Sequence, residues 1–214
     1  MKKIVIIDYE CGNLLSLSRA IETLGFKPEL TKDKNKILDA SHLILPGVGA
    51  FGHAMNKLEK YDLKKTIKDY VNLKKPLLGI CLGMQALFSK SYEFGTHEGL
   101  DIIEGEVIKI ESPESKIKVP HIGWNEIFPT EINENCIKIF SKDLHGKNFY
   151  FVHSYIGVSK NLNKTNAVAK YSNITIPAIV SSENVYGCQF HPEKSGKNGI
   201  SLIKNFCDLK IKNS

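Results

Sequence analysis

The sequence predicts an α/β fold in which helices flank a central, mostly parallel mixed sheet, with a β-rich C-terminal half. In the N-terminal half, short apolar runs alternate with segments whose apolar residues recur at helical spacing, which is the pattern of βαβ units. From about Gly99 the pattern changes to short alternating segments, which favours hairpins and a mixed sheet edge. The 214 residues suit a single domain over 1–214, because domains typically have about 100 to 200 residues.

The N-terminal half is expected to supply the parallel strands and their connecting helices. Apolar runs predict strands at 3–7, 27–31, 42–45 and 76–80. Apolar residues at helical spacing predict helices at 13–24, within 58–73 as one or two helices, and at 84–89. Gly25 is a typical stop signal for the first of these helices. The fourth strand runs directly into Cys81.

The C-terminal half is expected to add shorter strands and one closing helix. Strands are predicted at 106–110, 136–140, 149–153, 167–171, 178–182 and 185–190. The helix is predicted at 199–209, where Ile200, Ile203, Phe206 and Cys207 would face the core.

Composition and charge narrow the function classes. The net charge of +6 comes almost entirely from lysine, because Arg19 is the only arginine, and the lysines are dispersed among acidic residues. Nucleic-acid readout favours arginine and aromatic platforms, so we expect no nucleic-acid partner, although attraction of an anionic substrate stays open. The five cysteines include no C-x-x-C pair, which disfavours a disulfide framework and predicts no metal site. The first ten residues hold only a four-residue apolar run, so we expect a cytoplasmic protein with no membrane partner.

A candidate nucleophile follows the fourth predicted strand. Cys81 lies between Gly79 and Gly83, a G-x-C-x-G pattern between an apolar strand and a helix, which is the context of a nucleophile elbow. The glycines permit a sharp turn and close packing of the helix on the strand. The turn would lift the sulfur to the carboxyl end of the sheet, where α/β proteins bind ligands. The alternative is a buried core cysteine beside a tight turn.

A candidate base lies near the end of the chain, in His191-Pro192-Glu193. A free thiol is a weak nucleophile at neutral pH and is commonly activated by a base within hydrogen-bond reach. Pro192 restricts His191 to extended backbone, so Glu193 is expected on the same side of the chain, where it can orient the imidazole. The alternative is a loop with a capping carboxylate.

Two further segments fit acyl chemistry. The main-chain amide of Leu82, directly after the candidate nucleophile, is a natural oxyanion donor. A second donor is expected from the glycine-rich loop 45–52, which lacks the Lys-Ser/Thr of a phosphate-binding P-loop. Gln85 is one helical turn after Cys81 and can hold a polar substrate end, whereas Glu93 can bind an ammonium or remain an exposed loop carboxylate.

Three segments carry a resemblance to a known family. They are Pro46-Gly47-Val48-Gly49, Gly79-Ile80-Cys81-Leu82-Gly83-Met84-Gln85 and Gln189-Phe190-His191-Pro192-Glu193. Together they resemble the class I glutamine amidotransferases over nearly the whole chain, which implies a flavodoxin-like fold, a Cys-His-Glu triad and no cofactor. Within that family, further segments resemble the glutaminase subunits of imidazole glycerol phosphate synthases. These are Asp8-Tyr9, Gly12-Asn13-Leu14, His121-Ile122-Gly123-Trp124-Asn125, Phe151-Val152-His153-Ser154-Tyr155 and Lys194-Ser195.

The resemblance implies roles for individual residues. Cys81 would form a glutamyl thioester, with His191 and Glu193 completing the triad, and the second oxyanion donor would come from the Gly47-Val48 region. The residues implied to hold glutamine are Gly49, Gln85, Glu93, His153, Ser154 and Tyr155. Those implied to face a synthase subunit are Asn13, Trp124 and Asn125. Glu10-Cys11 departs from the family pattern, in which glycine usually follows Asp-Tyr, and this concerns a partner-facing loop rather than the triad.

A partner chain is expected because the glutaminase domain accounts for essentially all of the 214 residues. In histidine biosynthesis, the resemblance implies a heterodimer with a (β/α)8-barrel cyclase that receives the ammonia released from glutamine. Three alternatives stay open: ammonia supply for an amidine-bearing surface sugar, a stand-alone cysteine hydrolase, and a binding module in which Cys81 is a redox sensor. Glutaminase activity that rises with a barrel subunit distinguishes an amidotransferase from the last two.

Overall fold

The fold is built on a nine-stranded mixed sheet and a smaller four-stranded sheet. The structure is a computed structural model, and it describes residues 2–111, 117–130 and 138–210. From one edge to the other, the strands of the large sheet are β2 (Glu29–Thr31), β1 (Ile4–Ile7), β3 (His42–Leu45), β4 (Leu77–Ile80), β13 (Val185–Cys188), β12 (Ile174–Ser182), β11 (Thr165–Tyr171), β8 (His121–Pro129) and β9 (Lys147–His153). The predicted α/β class is confirmed.

The parallel half of the large sheet comes from the N-terminal part of the chain. Its strands are β1 (Ile4–Ile7), β2 (Glu29–Thr31), β3 (His42–Leu45) and β4 (Leu77–Ile80). All four residues of β1, β3 and β4 are buried, as expected for parallel strands covered on both faces. Alternate residues of β1 belong to two different hydrophobic cores, one on each side of the sheet. The four strands predicted in this half are confirmed.

Helices cover both faces of this sheet. They are α1 (Leu14–Glu22), α2 (Lys34–Asp39), α3 (Phe51–Lys60), α4 (Leu63–Asn72), α5 (Leu82–Gln85) and α6 (Gly196–Cys207). The helices predicted at 13–24 and 199–209 are confirmed as α1 and α6, and the segment 58–73 holds the end of α3 and all of α4. Helix α2 is not among the helices predicted from the sequence. Its start is marked by the Asp33 side chain, which accepts the Lys36 main-chain N–H at 3.0 Å.

The helix predicted at 84–89 is confirmed for residues 84–85 only and is wrong for 86–89. Helix α5 stops after one turn, and the chain continues as strand β5 (Phe88–Ser91). The backbone that follows holds this strand: the Leu100 amide donates to the Ala86 carbonyl, and the Ile103 amide donates to the Leu87 carbonyl. These long-range hydrogen bonds replace the next helical turn. A buried apolar run of this length suits a strand as well as a helix, so the sequence pattern alone does not decide between them.

Strand β5 belongs to the small sheet, in the order β10-β7-β5-β6. The other members are β6 (His97–Glu98), β7 (Ile103–Lys109) and β10 (Tyr155–Ser159). Strand β7 confirms the strand predicted at 106–110, although it begins and ends earlier. This sheet places the segment before β6 and the start of β10 beside helix α5.

The antiparallel half of the large sheet comes from the C-terminal part of the chain. Its strands are β8 (His121–Pro129), β9 (Lys147–His153), β11 (Thr165–Tyr171), β12 (Ile174–Ser182) and β13 (Val185–Cys188). The strands predicted at 149–153, 167–171 and 178–182 are confirmed within these bounds. The strand predicted at 185–190 is confirmed for 185–188, and residues 189–190 lie beyond the end of β13. The strand predicted at 136–140 is wrong for residues 138–140, which form a turn, and residues 136–137 lie outside the described ranges. Ile139 and Phe140 are buried there without strand pairing, so their apolar character reflects core packing.

The two halves of the sheet meet where β13 pairs in parallel with β4. The register places Gly187 opposite Gly79 and Cys188 opposite Ile80. The carboxyl ends of the two central strands are therefore side by side, and the residues that follow them share one crevice. In the described part of the chain, no helix is long and apolar enough to cross a membrane.

Candidate active site

Cys81 occupies a sharp turn between β4 and α5. Its backbone has φ 52° and ψ −109°, a conformation that a residue with a Cβ rarely adopts and that costs on the order of 1 to 3 kcal/mol. The turn is held by the Cys81 amide, which donates to the Cys188 carbonyl at 2.8 Å, and by its carbonyl, which accepts from the Gln85 amide at 3.0 Å. The side chain is largely buried but reaches a pocket. This geometry is that of the nucleophile elbow expected from the sequence.

Three glycines make the turn possible by allowing backbones to approach one another. A Cβ on Gly83 would lie 1.9 Å from the Leu45 carbonyl oxygen, and one on Gly79 would lie 2.7 Å from the Gly83 oxygen. A Cβ on Gly47 would lie 2.7 Å from the Gly83 nitrogen. The elbow, strand β4 and the loop after β3 are thus packed at distances that exclude any side chain at these positions.

His191 and Glu193 follow β13 and form a buried pair. The His191 Nδ1 lies 2.9 Å from the Glu193 Oε1, and both side chains are nearly inaccessible to solvent. His191 is extended, as Pro192 predicts, but 192–194 forms a 3-10 turn. Glu193 therefore reaches the imidazole through this turn, so the expectation that strand-like alternation places them on one side is wrong although the pair forms.

The backbone around His191 is fixed by its neighbours. The His191 amide donates to the Tyr150 carbonyl at 2.9 Å, and the Ser195 hydroxyl donates to the His191 carbonyl at 2.6 Å. The same hydroxyl accepts from the Tyr150 amide at 3.0 Å. These contacts tie the backbone of the histidine to strand β9, while the hydrogen bond to Glu193 orients the imidazole.

The electrostatic environment of His191 favours its protonated form. Burial opposes the imidazolium, but the side-chain hydrogen bonds to Cys81 and Glu193, together with the charges of both groups, outweigh it and raise the pKa of His191 to about 10. The imidazole is therefore held as a cation between a sulfur and a carboxylate. Such a pair favours the thiolate form of a cysteine and supplies a proton for a leaving group.

The sulfur and the imidazole open into a cavity of about 280 Å³. Its lining consists of Val48, Gly49, Cys81, Leu82, Gln85, Glu93, Pro120, Val152, His153, Ser154, Tyr155 and His191. All six residues expected to hold glutamine are in this set. Gly47 and Glu193 instead line a cavity of about 10 Å³ on the other side of the imidazole, together with Asn13. A cavity of similar size, about 300 Å³, lies around the Lys74–Glu183 ion pair at the opposite ends of the strands, and its lining residues include neither a cysteine nor a histidine.

The loop after β3 forms one wall of the pocket. Gly49 has φ 100°, which glycine adopts without strain, and Val48 is 43% exposed. Tyr9, which is fully buried, donates its hydroxyl to the Pro46 carbonyl at 2.7 Å and anchors the start of the loop. The sequence reading gave Tyr9 no role of its own, since a buried tyrosine after a strand is also common in cores.

Two polar side chains of the pocket are already oriented by hydrogen bonds within the protein. The Glu93 Oε2 accepts a hydrogen bond from the Phe51 amide at 2.6 Å, which ties it to the first turn of α3. The Gln85 Nε2 donates to the Tyr155 carbonyl at 2.9 Å and to the Gln189 Oε1 at 3.1 Å. Glu93 is therefore a fixed carboxylate at the pocket rather than a mobile loop residue.

Two buried polar residues near the pocket were not among the expected site residues. The His121 Nδ1 lies 3.0 Å from the His153 Nε2, and His121 stacks on Phe151 and Tyr171. Burial lowers the pKa of His153 to about 3 against the opposing effect of its hydrogen bond to the Tyr155 carbonyl.

The second of these residues is Gln189, which is also fully buried and whose Nε2 lies 3.7 Å from the Cys81 sulfur. Its position directly before Phe190-His191 was visible in the sequence, but its side-chain direction was not.

The residues expected to face a partner do not all point the same way. Trp124 and Asn125 are consecutive on β8 and so point to opposite faces of the sheet. Trp124 is 54% exposed. The Asn125 amide is engaged within the protein, where its Oδ1 lies 2.8 Å from the His121 Nε2 and its Nδ2 donates to the Lys170 carbonyl. Asn13 precedes the first turn of α1 and lines the small cavity behind His191.

Comparisons with known proteins agree with this geometry. A family model described as "Glutamine amidotransferase class-I" matches residues 5–209. A curated relative from Legionella pneumophila (strain Paris), "Imidazole glycerol phosphate synthase subunit HisH 1", is 43% identical over 213 residues, covering 98% of this chain and all of the relative. The subunit HisH of Lactococcus lactis subsp. lactis (strain IL1403) is 44% identical over 208 residues, covering 97% of this chain and 99% of that protein.

Solved structures show the same fold at low sequence identity. The structure of PurLQS from Thermotoga maritima has a TM-score of 0.70 at 18% identity, covering 96% of this chain and 98% of that one. A glutamine amidotransferase from the same organism has a TM-score of 0.58 at 16% identity, covering 97% and 83%. A family match over most of the chain, relatives above 40% identity and the geometry of Cys81 and His191 lead to one conclusion: the chain belongs to the class-I glutamine amidotransferase family.

Proposed function

We propose that this chain is the glutaminase subunit of an imidazole glycerol phosphate synthase, with 1–214 as its single amidotransferase domain. It hydrolyses glutamine to glutamate and ammonia and passes the ammonia to a cyclase subunit in histidine biosynthesis. The relatives that carry this name are similar over almost their whole length, at 41 to 44% identity. The observation that carries the chemistry is the strained turn that presents Cys81 to the buried His191–Glu193 pair in one pocket.

In the first half of the reaction, the Cys81 thiolate attacks the side-chain carbonyl carbon of glutamine. A tetrahedral oxyanion forms, and the C–N bond then breaks as His191 transfers its proton to the nitrogen, which leaves as ammonia. Glu193 orients the imidazole and stabilises its charge. The raised pKa of His191 supports this role, because the proton needed by the leaving group is already in place.

In the second half, the glutamyl thioester is hydrolysed. Neutral His191 takes a proton from water as the oxygen attacks the thioester carbon, and the C–S bond breaks to give glutamate and the Cys81 thiolate. The imidazolium is restored at the same time. Each turnover therefore consumes one glutamine and one water and leaves the triad in its starting state.

The oxyanion is assigned to main-chain donors on two sides of the sulfur. The Leu82 amide begins α5 directly after Cys81, and the second donor comes from the Gly47-Val48 segment. The close packing of Gly47 on Leu82 and Gly83 supports this assignment, since it brings the two segments to the same place. Removal of one such donor typically costs about 3 to 4 kcal/mol of transition-state stabilisation.

The rest of the pocket is assigned to glutamine binding. Glu93 is the carboxylate placed to pair with the α-ammonium group, and Gly49 and the 153–155 segment line the remaining wall. Gln85 contributes its amide oxygen, because its nitrogen is already used in hydrogen bonds to the Tyr155 carbonyl and Gln189. These assignments place the charged end of the substrate away from the reacting sulfur.

The partner is assigned as a (β/α)8-barrel cyclase that forms a heterodimer with this chain. The exposed side chains of Ile122 and Trp124 on one face of β8 offer an apolar surface for it, and Leu15 at the start of α1 is a further exposed apolar side chain. Asn13 lines the small cavity that His191 and Glu193 also line. The Asn125 side chain contributes indirectly, by fixing His121 within the sheet.

Glutaminase activity measured with and without the cyclase tests the proposal. We expect glutamate release to rise sharply when the cyclase and its nucleotide ligand are added, and Cys81→Ala to abolish it. Cys207→Ala is the matched control, because Cys207 is also buried but lies on α6. Full hydrolysis by Cys81→Ala in the complex would refute the triad, and an isolated chain that is already fully active would refute the coupled complex.

A further inference from the structure

Besides the cationic His191, one further side chain in the described part of the protein donates to the Cys81 sulfur. This neutral donor is the side-chain amide of Gln189. The Gln189 Nε2 lies 3.7 Å from the sulfur. Gln189 is fully buried, and its main-chain amide donates to the Ala178 carbonyl at 2.9 Å, which fixes the residue just beyond β13. A fully buried primary amide needs a specific reason, because its polar atoms must all be matched.

The orientation of the Gln189 amide follows from its neighbours. The Tyr155 carbonyl can only accept, so the Gln85 atom that faces it at 2.9 Å is the nitrogen. The same nitrogen lies 3.1 Å from Gln189, and that contact is satisfied only if the Gln189 atom is the oxygen. The other end of the Gln189 amide, the nitrogen, is therefore the one that faces sulfur. Its N–H is held in place by two hydrogen bonds that do not involve the reacting atoms.

The contacts of the sulfur differ in the form of the cysteine that they favour. The Val152 carbonyl, 4.0 Å from the sulfur, can accept from a thiol but repels a thiolate. An N–H donor has the opposite preference, because a hydrogen bond to an ionised acceptor is stronger than one to a neutral acceptor. The Gln189 N–H therefore favours the thiolate, whereas the Val152 carbonyl favours the thiol, and the two neutral groups oppose each other.

The titratable groups around the sulfur do not supply the neutral N–H donor that Gln189 provides. His191, paired with Glu193, is the cation beside it. Tyr9 and Cys188 also interact with Cys81, and burial raises the pKa of both, so they stay neutral. The Tyr9 hydroxyl donates to the Pro46 carbonyl and is therefore engaged away from the sulfur.

We infer that Gln189 is a positioning residue that donates its side-chain N–H to the Cys81 sulfur and stabilises the thiolate. The inference rests on the proposed function of Cys81 as the nucleophile and adds a residue to that site. Gln189 is not itself one of the residues that line the substrate pocket, so its effect on the reaction runs through its contact with the sulfur. Its second contact, to Gln85, links the orientation of the donor to a residue that lines the pocket.

The test is the pH dependence of Cys81 alkylation by iodoacetamide in the full chain, alone and with the cyclase. Gln189→Met removes the donor while keeping an unbranched side chain, and we expect the midpoint of the alkylation profile to move upward by about one pH unit. Tyr186→Phe is the control, because it removes a polar atom from a buried residue of β13, the strand directly before Gln189. Its profile should match the unaltered chain, and Cys81→Ala gives the background from other cysteines.

A second variant keeps the test decisive if Gln189→Met fails to fold. Gln189→Glu still offers an oxygen to Gln85 but places a carboxylate oxygen against the sulfur, so its alkylation midpoint should also move upward. A profile that superimposes on that of the unaltered chain, in a folded Gln189→Met or Gln189→Glu protein, would overturn the inference. Alkylation does not require turnover, so this result is independent of whether the chain hydrolyses glutamine with the cyclase.

Discussion

Substitution of Gly83 tests whether close backbone packing creates the active site. In Gly83→Ala the new Cβ would lie 1.9 Å from the Leu45 carbonyl oxygen, whereas ordinary contact begins at 3.4 Å. A movement of about 1.5 Å must therefore separate α5 from the end of β3, since the clash is with backbone and cannot be relieved by a rotamer. The elbow carries Cys81 and the Leu82 amide, so both would move relative to the Gly47-Val48 segment.

Two losses of different size are expected. Overpacking of this kind lowers the free energy of unfolding by about 1 to 3 kcal/mol. A displacement of about 1 Å between reacting groups costs on the order of 10²-fold in rate, so kcat should fall by at least that factor. Urea unfolding gives the first quantity, and glutamate release in the presence of the cyclase gives the second.

Gly25→Ala separates the two effects. Gly25 has φ 82° and no neighbour within 4 Å of its would-be Cβ, so the alanine is strained but does not clash. A left-handed alanine costs about 1 to 2 kcal/mol, which is similar to the loss expected for Gly83→Ala. Activity should nevertheless be unchanged, because Gly25 lies after α1 and away from the pocket. A Gly83→Ala enzyme with unaltered kcat would refute the packing argument.

Four further outcomes are expected. In Glu193→Gln, kcat should fall on the order of 10² to 10⁴-fold. The pKa of His191 is raised to about 10, so its contribution to stability is present below about pH 6.5 and is lost as the pH rises toward 10. Urea unfolding across this range should show a smaller alkaline loss in Glu193→Gln than in the unaltered chain. Glu93→Gln should raise KM for glutamine about ten- to a hundredfold with little change in kcat, and an unchanged KM would remove Glu93 from substrate binding. Burial and the Lys2 charge lower the pKa of His42 to about 4. As the pH drops, the unfolded state therefore binds this proton before the folded state does. The free energy of unfolding should fall as the pH drops from 6.5 toward 4. Equal urea midpoints at pH 7 and pH 5 would contradict this reasoning.

Much of the fold follows from apolar patterning that two faces of a sheet impose. The buried apolar runs of β1, β3 and β4 predict parallel strands, because such strands are covered on both sides. The segment after α5 was misread because Leu87 and Phe88 are buried in either a helix or a strand, and only long-range hydrogen bonds decide between them. Strand β8 was not read as a strand because Gly123 and Asn125 interrupt its alternation, and its pairing with β9 and β11 compensates for them.

The candidate site was predictable where chemistry depends on neighbours in sequence. Cys81 with its glycines, and His191 with Glu193, are recognisable because turn geometry and pairing are local. The roles of Gln189 and Tyr9 depend instead on which atoms their side chains meet across the sheet. The division of Trp124 from Asn125 follows from the existence of β8, which the sequence reading did not contain.

The parallel pairing of β4 with β13 has a consequence for the making of this protein. Synthesis delivers Cys81 early, but the strand that carries its base is among the last parts to emerge. A nascent or truncated chain that ends before Glu193 has the sulfur without the groups that activate it. The adjacent strands β4 and β13 are more than a hundred residues apart in sequence, so their pairing needs a long-range loop closure that a partial chain cannot make. Ribosome-bound intermediates are therefore expected to be unable to hydrolyse glutamine, and a free ammonia-releasing fragment is avoided by the order of the strands.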